Sequence, residues 1–308
     1  MAPTNTWTCR IQIATVYGKH NVSLKSSLVP GAGLAAAVQN PYIRQNRPMP
    51  HLKIGIQLTS LRLPFKKAIE LAHRLGVQAI EIDARHDIRP AELGLTAKRQ
   101  LRKMLDDYGL HVAAVSFPTR RGYYVEEELS ARVEATKRAM NFAFDLGANA
   151  VVNQIGRVPE DTEGDEWNLL VEVLTEIGKH GEHCGAVLAA ETGTESGEDL
   201  ARLLGALPSG IIGVNLDPGN LIVNGFSPQE AVDLLGERIV HVHAKDGVRD
   251  LAKRRGLEVP LGRGTTDWPA LIAGLEDHEY RGYFTVERTN PEDPVQEVHQ
   301  AVQFLRNM

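Results

Sequence analysis

The chain has 308 residues, of which 43% are hydrophobic, a fraction typical of a globular protein with a sizeable core. The net charge of −5 and the pI near 6.1 argue against nucleic acid as a partner, because no overall positive field would attract it. No apolar run reaches the roughly 18–20 residues that cross a bilayer, and Cys9 and Cys184 show no zinc or redox spacing. These properties predict a cytoplasmic protein without membrane or nucleic-acid partners.

The first fifty residues differ in composition from the rest of the chain. Residues 1–50 contain basic residues but no Asp or Glu, and they show no sustained periodicity. Their apolar stretch at 29–38 is broken by Pro30 and two glycines, which argues against a cleavable signal. We expect an N-terminal extension that is poorly ordered, or a start codon assigned ahead of a true start at Met49.

From residue 51 to residue 308, short β-rich runs alternate with helical patterns, which predicts one domain. Strands are predicted at residues 53–58, 79–83, 111–117, 150–154, 186–191, 211–217, 239–245 and 283–287. The intervening helices are predicted at residues 65–75, 126–146, 165–183, 198–207, 268–275 and 293–305, with one capped by Thr96 and one capped by Ser227.

Eight strand–helix pairs predict parallel strands joined by crossover helices. An open doubly wound sheet would use fewer strands and carry a glycine-rich phosphate turn after the first, and residues 56–60 lack that turn. We therefore predict an α/β fold of the (β/α)8 TIM-barrel type, with its chemistry at the carboxyl ends of the strands.

Four of the predicted strands end in a polar side chain that a metal could bind. A buried strand ending in a charged group is costly unless that group has a partner. Three carboxylates and one imidazole suit Mn²⁺, Mg²⁺ or Co²⁺, and Zn²⁺ less exclusively. Alternatively, each residue caps a helix or forms an ion pair. The residues are Glu191, Asp217, His243 and Glu287.

The alternation of side chains along a strand indicates which of the neighbouring polar residues share a face. His241, His243 and Lys245 share one face of their strand, and His243 is the better ligand because it lies nearer the end; His241 is predicted to be a buried, hydrogen-bonded neighbour. Glu81 and Asp83 likewise share a face, and Asp83 is the better site candidate.

These residues resemble the xylose-isomerase-like TIM-barrel superfamily of sugar phosphate isomerases and epimerases. The resemblance covers residue 53 to the C-terminus. It is carried by the four strand-end residues together with His-Val-His-Ala-Lys-Asp at 241–246, Gly-Arg-Gly at 262–264 and Asp-Trp at 267–268.

The resemblance implies one divalent cation, Mn²⁺ first among Mg²⁺, Co²⁺ and Zn²⁺, held by Glu191, Asp217, His243 and Glu287. It implies isomerase or epimerase activity on a sugar, polyol or small hydroxy-keto compound through a metal-stabilised enediolate, with Glu191 and Glu287 as the acid/base pair. A homodimer or homotetramer is expected by the same analogy.

Several alternatives remain open. An inosose-type dehydratase would use the same site but expel a hydroxyl group, and a sugar-binding barrel would not turn its ligand over. An endonuclease IV-like hydrolase needs three zinc ions and further histidines, whereas the strands here end in Ser116, Asn153 and the Asn220 turn. That alternative is the least favoured.

The chain departs from the ketose epimerases at two positions. Asn220 stands where they carry a histidine, and Gly197 stands where they carry a glutamate. Glu195, Ser196 or Glu198 could replace that glutamate, although the last two are also suited to cap a helix.

Further side chains are predicted to bind the substrate. Basic loops at residues 120–124 and 253–255 could hold an anionic group, or could simply be solvated. Lys245 could polarise a substrate oxygen or form a salt bridge with Glu287 or Asp217. The predicted substrate-binding residues are Asn220, Lys245, His86, Arg121 and Asp83.

Overall fold

Eight parallel strands form a closed ring at the centre of the fold. The computed structural model describes residues 51–250 and 255–308, and the extension predicted at residues 1–50 lies outside the described residues. In chain order the strands are β1 Lys53–Gln57, β2 Ala79–Asp83, β3 His111–Ser116, β4 Ala150–Asn153, β5 Val187–Glu191, β6 Ile212–Leu216, β7 Ile239–Ala244, β8 Asp246–Asp250, β9 Arg255–Val259 and β10 Tyr283–Val286. The ring order is β1-β10-β7-β6-β5-β4-β3-β2, which confirms the predicted (β/α)8 barrel.

Helices connect the barrel strands, as the sequence pattern predicted. Short 3-10 helices occur at Leu58–Leu61, Pro90–Glu92 and Gly236–Arg238. Within the described ranges, no helix is both long enough and apolar enough to span a membrane. The α-helices are α1 Phe65–Arg74, α2 Leu95–Asp107, α3 Leu129–Asp145, α4 Asp165–Cys184, α5 Gly197–Ala206, α6 Pro218–Asn224, α7 Pro228–Leu235, α8 Trp268–Asp277 and α9 Pro294–Arg306.

The helix starts show where local sequence signals were sufficient. The Ser227 side chain accepts a hydrogen bond from the Glu230 backbone N–H and caps α7, as predicted. The predicted Thr96 cap is wrong, because α2 begins at Leu95 after Gly94. Helix α3 begins three residues later than predicted, since Glu128 adopts a φ of 55°, which is not helical.

Two hydrophobic layers follow from the alternation of side chains along each strand. Outward-facing residues pack against the helices, and each fully buried Leu or Ile there stabilises the fold by roughly 1.5–3 kcal/mol. A separate cluster of small residues on β3, β4 and β5 faces inward: Ala114, Ala150, Val152 and Ala189. The barrel interior also contains the polar side chains of Glu81 and His241, both buried.

Two elements were not predicted from the sequence. Strands β8 and β9 pair antiparallel and form a ribbon directly after β7, where only a long loop was expected. The short helix α6 follows β6 and is capped by Asp217, whose side chain accepts a hydrogen bond from the Asn220 backbone N–H at 2.8 Å. With Pro218 at its first position, α6 has a favourable start despite its length.

Candidate metal centre

The four predicted ligands meet at the carboxyl end of the barrel. Glu191 ends β5, Asp217 follows β6, His243 lies near the end of β7, and Glu287 follows β10. These strands are consecutive in the ring, so their ends point to one place. One donor atom from each of the four residues lies within 4.8 Å of the others.

His243 is at the centre of this cluster. Its Nδ1 lies 2.8 Å from Glu287 Oε2, 3.3 Å from Glu191 Oε1 and 3.9 Å from Asp217 Oδ2. Among the described residues, Asp217 Oδ2 and Glu287 Oε2 are buried oxygens without a hydrogen-bond partner. Three largely buried carboxylates this close together repel one another, and three carboxylates with one imidazole are suitable ligands for a divalent cation. The residues present therefore fit a divalent metal.

Glu81 holds the other side of the His243 ring. Its Oε2 accepts hydrogen bonds from His243 Nε2 at 3.0 Å and from His241 Nε2 at 3.1 Å. The prediction that His241 is a buried, hydrogen-bonded neighbour is confirmed. Gln57 Nε2 donates to the remaining Glu81 oxygen at 3.0 Å. Burial would raise the pKa of Glu81, but the charge of His243 and the two histidine hydrogen bonds outweigh it and hold this pKa well below its usual range.

The two candidate catalytic glutamates have opposite electrostatic environments. Burial raises the pKa of Glu191, and the charges of Glu287 and Asp217 raise it further against the hydrogen bond with His243. For Glu287 burial acts in the same direction, but the positive charges of Lys245 and His243 outweigh it and lower this pKa to about 2. Two carboxyl groups in one site with separated pKa values are a recurrent feature of acid/base catalysis.

Lys245 lies against the ligands and not against open space. Its Nζ is 3.3 Å from Glu287 Oε2 and 3.5 Å from Asp217 Oδ2, and its side chain is buried. Burial lowers the pKa of Lys245, but the charges of Asp217 and Glu287 outweigh it and raise this pKa above its usual value. Both salt bridges that the sequence left open are thus present.

A cavity of about 410 Å³ opens next to the cluster. It is lined by Glu191, His243 and Glu287 from one side and by two predicted substrate-binding residues, Asp83 and His86, from the other. Asp83 Oδ2 lies 2.8 Å from His86 Nδ1, and Asp83 Oδ1 accepts hydrogen bonds from the backbone N–H groups of Arg85 and His86. Asp83 therefore holds the loop that carries His86.

The family assignment follows from this fold together with the sequence. Residues 69–308 match the model of the xylose isomerase-like TIM barrel family. The chain belongs to this family. It is 29% identical over 229 residues to the Rhizopine catabolism protein MocC of Rhizobium meliloti. This match covers 64% of this chain and 69% of that protein. It is 26% identical over 219 residues to an inosose dehydratase of Bacillus thuringiensis. That match covers 61% of this chain and 72% of the dehydratase.

Several solved structures are similar in fold to this chain. A xylose isomerase domain protein from Planctomyces limnophilus matches with a TM-score of 0.73 and 25% identity, over 84% of this chain and 97% of that chain. An L-ribulose 3-epimerase matches with a TM-score of 0.65 and 18% identity, over 83% and 96%. The IOLI protein "with a binding zinc atom" matches with a TM-score of 0.67 and 21% identity, over 83% and 96%. The last two show the common fold alone.

Two of the predicted substrate-binding residues, Asn220 and Arg121, lie in different parts of the structure. Asn220 lies at the cluster, where its Nδ2 donates to Glu191 Oε1 at 3.3 Å. Arg121 does not line the cavity beside the cluster, and its role in substrate binding stays a prediction. Its guanidinium lies 2.9 Å from Glu127 Oε2, and it lines a separate cavity of about 510 Å³ with Arg85, Arg120 and Arg132. In the basic loop predicted at 253–255, residues 253 and 254 lie outside the described residues.

The connection after β5 contains a buried carboxyl group. Glu195 is 5% exposed, its Oε2 accepts a hydrogen bond from the Thr194 hydroxyl, and its Oε1 has no hydrogen-bond partner among the described residues. Burial raises the pKa of Glu195 to about 7. Ser196, by contrast, caps α5 through the Asp199 backbone N–H. Of the three residues considered for the missing glutamate, Glu195 is thus the buried one with an unpaired oxygen.

Sequence reasoning did not assign Glu81 to the site. Glu81 and Asp83 share the inner face of β2, and Asp83 was preferred because it lies nearer the barrel mouth. The structure shows that the deeper residue contacts His243. The signal that could have found it is a buried histidine, His241, two residues before His243, because a second buried imidazole requires a hydrogen-bond partner inside the barrel.

Proposed function

We propose that this protein is a divalent-metal-dependent sugar isomerase or epimerase in which Glu191 and Glu287 exchange a proton with the substrate. The observation that supports the proposal is the position of the two carboxylates, which approach the same His243 nitrogen at 3.3 and 2.8 Å and line one cavity. Both can therefore reach a small molecule held at the cluster.

The chain's own residues would divide the work as follows. Glu191, Asp217, His243 and Glu287 hold the cation, and Glu81 fixes the orientation of the His243 ring. A bound divalent cation supplies Lewis acidity, which polarises a carbonyl and its neighbouring hydroxyl and acidifies the adjacent C–H. One glutamate removes that proton, and the other returns a proton to the substrate. Lys245 keeps Glu287 oriented through its ion pair.

The identity of the metal is part of this proposal. We expect Mn²⁺, with Mg²⁺, Co²⁺ or Zn²⁺ as alternatives, because three carboxylates and one imidazole favour hard or borderline cations. The IOLI protein, a neighbour in fold, is described with a bound zinc atom, and this supports a metal in the present chain. Metal content should be near one ion per chain, since the second possible group, Glu81 with His241 and His243, shares His243 with the first.

A second candidate function is dehydration of an inosose. The inosose dehydratase of Bacillus thuringiensis, 26% identical, favours it specifically. The first step is the same removal of a proton beside a carbonyl, after which the hydroxyl on the next carbon leaves as water. The same pair of glutamates can serve both outcomes, because the second can protonate either the carbon or the departing hydroxyl.

Incubation with ketoses, aldoses and inososes in D₂O, read by mass spectrometry, tests both functions. Deuterium at a single carbon supports isomerase or epimerase activity, and loss of water supports the dehydratase. Glu191→Gln and Glu287→Gln should abolish either signal, whereas Glu198→Gln, which removes an exposed carboxylate on α5, should leave it unchanged. Full activity in Glu287→Gln would exclude the two-glutamate scheme.

A further inference from the structure

A second cavity, of about 510 Å³, is lined by the connections after β2 and β3 and by the first half of α3. Its described lining contains four arginines and a single carboxylate, although the net charge of the chain is −5. Whether the cavity is positively charged depends on which of these arginines already have a carboxylate partner. The charged lining residues are Arg85, Arg120, Arg121, Arg132 and Glu128.

Arg85 is held by an aromatic ring and not by a carboxylate. Its Cζ lies 5.0 Å from the centroid of the buried Phe117 ring. Such a cation–π contact orients a guanidinium group and leaves its N–H donors available. Among the described residues, the Arg85 guanidinium forms no ion pair and no hydrogen bond, although the residue is half-buried. It is therefore suited to bind an anion.

Arg132 lines the cavity from α3 and is held by backbone carbonyl groups. Its NH1 donates to the Glu127 carbonyl at 3.0 Å. Its NH2 donates to the Gly122 carbonyl at 3.1 Å and to the Val125 carbonyl. Neutral acceptors orient a guanidinium group without neutralising it, and no carboxylate pairs with Arg132 in the part of the chain that the structure describes. Arg132 is thus a fixed positive charge in the wall of the cavity.

The other two arginines are exposed and differ in their partners. Arg121 lies 2.9 Å from Glu127 Oε2 and 4.0 Å from Glu128 Oε2, so its charge is compensated. Arg120 has no ion pair within residues 51–250 and 255–308, and water satisfies its donors. The positive charge of the cavity therefore comes first from Arg85 and Arg132, and Arg120 adds to it.

The two half-buried arginines act on one buried group between the two connections. Tyr123 is fully buried, and its hydroxyl lies 2.7 Å from Thr136 Oγ1. Burial raises the pKa of Tyr123, and the hydrogen bond with Thr136 and the charges of Arg132 and Arg85 oppose this rise. The charges of Arg85 and Arg132 therefore add in one region of the protein.

This cavity adjoins the one at the metal ligands without being part of it. The two share no lining residue. Asp83 Oδ1 accepts hydrogen bonds from the backbone N–H groups of Arg85 at 2.7 Å and His86 at 2.9 Å. Arg85 lines the second cavity, whereas His86 lines the cavity at the metal ligands. A ligand bound at Arg85 would thus lie next to the metal centre without occupying it.

We propose that the second cavity binds a phosphate group through Arg85, Arg120 and Arg132. A phosphate carries up to two negative charges and three acceptor oxygens, which match the forked N–H donors of guanidinium groups. A cavity of about 510 Å³ has room for more than inorganic phosphate, so we expect the phosphate of a small organic molecule. This inference does not depend on the proposed function, since none of these arginines belongs to the metal centre.

Calorimetry with inorganic phosphate, glycerol 3-phosphate and glycerol tests the proposal on the metal-loaded protein after removal of free metal. We expect one saturable site per chain, tighter binding of glycerol 3-phosphate than of inorganic phosphate, and no binding of glycerol. Arg85→Gln should weaken phosphate binding about tenfold, the loss of one charge-assisted hydrogen bond, and adding Arg120→Gln should weaken it further. Arg132 is left in place because it also holds three carbonyl groups. Arg138→Gln, at an exposed position on α3, is the matched control and should bind like the wild type.

A metal-free variant distinguishes this site from phosphate binding at the metal itself. Asp217→Asn removes a proposed metal ligand but leaves the second cavity intact. Phosphate binding that persists in Asp217→Asn and falls in Arg85→Gln supports the separate site. Binding that disappears with the metal, or equal affinities in Arg85→Gln, Arg138→Gln and the wild type, would overturn the proposal. Equal affinity for inorganic phosphate and glycerol 3-phosphate would keep the site but assign it to free phosphate.

Discussion

Glu81 Oε2 lies 3.0 Å from His243 Nε2, on the edge of the ring away from the Nδ1 atom that faces the other ligands. The carboxylate accepts the Nε2 proton, so the imidazole presents Nδ1 to the cluster. A carboxylate behind a metal-binding histidine fixes its tautomer and raises its basicity.

We therefore expect Glu81→Gln to weaken metal binding by about 10- to 100-fold. The amide has one acceptor oxygen, while Glu81 accepts hydrogen bonds from His241, His243 and Gln57 through two. Titration of the metal-free protein with Mn²⁺, followed by calorimetry, measures the effect directly.

A matched control separates this effect from a general loss of charge. Glu70→Gln removes an exposed carboxylate on α1 and should leave the Mn²⁺ affinity unchanged. Equal affinity in Glu81→Gln and the wild type would show that the His243 ring is held by other contacts.

Asp217 combines a structural and a ligand role in one carboxylate. Its Oδ1 caps α6, and its Oδ2 is the buried oxygen without a hydrogen bond. Asp217→Asn should keep the cap but reduce the metal content from near one ion per chain towards none. Asp217→Ala should also lose the cap, which costs a further ~1 kcal/mol in the free energy of unfolding. Metal analysis and urea unfolding measure the two effects, and Asp233→Asn, at an exposed position on α7, is the control.

Asp246 explains the Gly-Arg-Gly sequence at 262–264. Its buried carboxylate accepts hydrogen bonds from the backbone N–H groups of Gly262 and Gly264, both at 3.1 Å, and from the Thr266 hydroxyl at 2.8 Å. A Cβ on Gly264 would lie 1.9 Å from Asp246 Oδ1, so only glycine fits. These contacts fix the turn between β9 and α8.

We expect Asp246→Ala to lower the free energy of unfolding by about 3 kcal/mol, because several buried donors lose a charged acceptor together. Urea unfolding measures this loss, and Asp250→Ala, on the same ribbon but partly exposed, is the comparison. An unfolding energy within 0.5 kcal/mol of the wild type, roughly the range of ordinary surface substitutions, would contradict the role assigned to Asp246.

The site residues were easiest to predict from the sequence where a single polar residue stands at the end of a predicted strand. Alternation of strands and helices determines the barrel, and a barrel brings all strand ends to one face. Glu191, Asp217, His243 and Glu287 could therefore be grouped without any contact being known. Their grouping in the structure depends on ring order alone, which strict β/α alternation predicts.

Depth and loop direction could not be predicted in the same way. Alternation shows that Glu81 and Asp83 share a face, but not that the deeper residue reaches His243 across the barrel. Arg121 follows β3, yet its direction is determined by an acidic residue six positions later, Glu127. The β8–β9 ribbon depends on pairing between segments whose own patterns are too short to identify strands.

The pH dependence of stability should identify Glu195 as a buried acid. Burial raises its pKa from 4.5 to about 7, so between these values the folded protein holds a proton that the unfolded chain releases. The free energy of unfolding should therefore fall as pH rises from 5 to 8, by at most about 3 kcal/mol. Glu195→Gln has no titratable carboxyl group at this position. Its free energy of unfolding, relative to that of the wild type, should therefore increase over the same interval. Urea unfolding at several pH values measures this difference, with Glu198→Gln as the exposed control; parallel curves for Glu195→Gln and the wild type would show that Glu195 titrates normally.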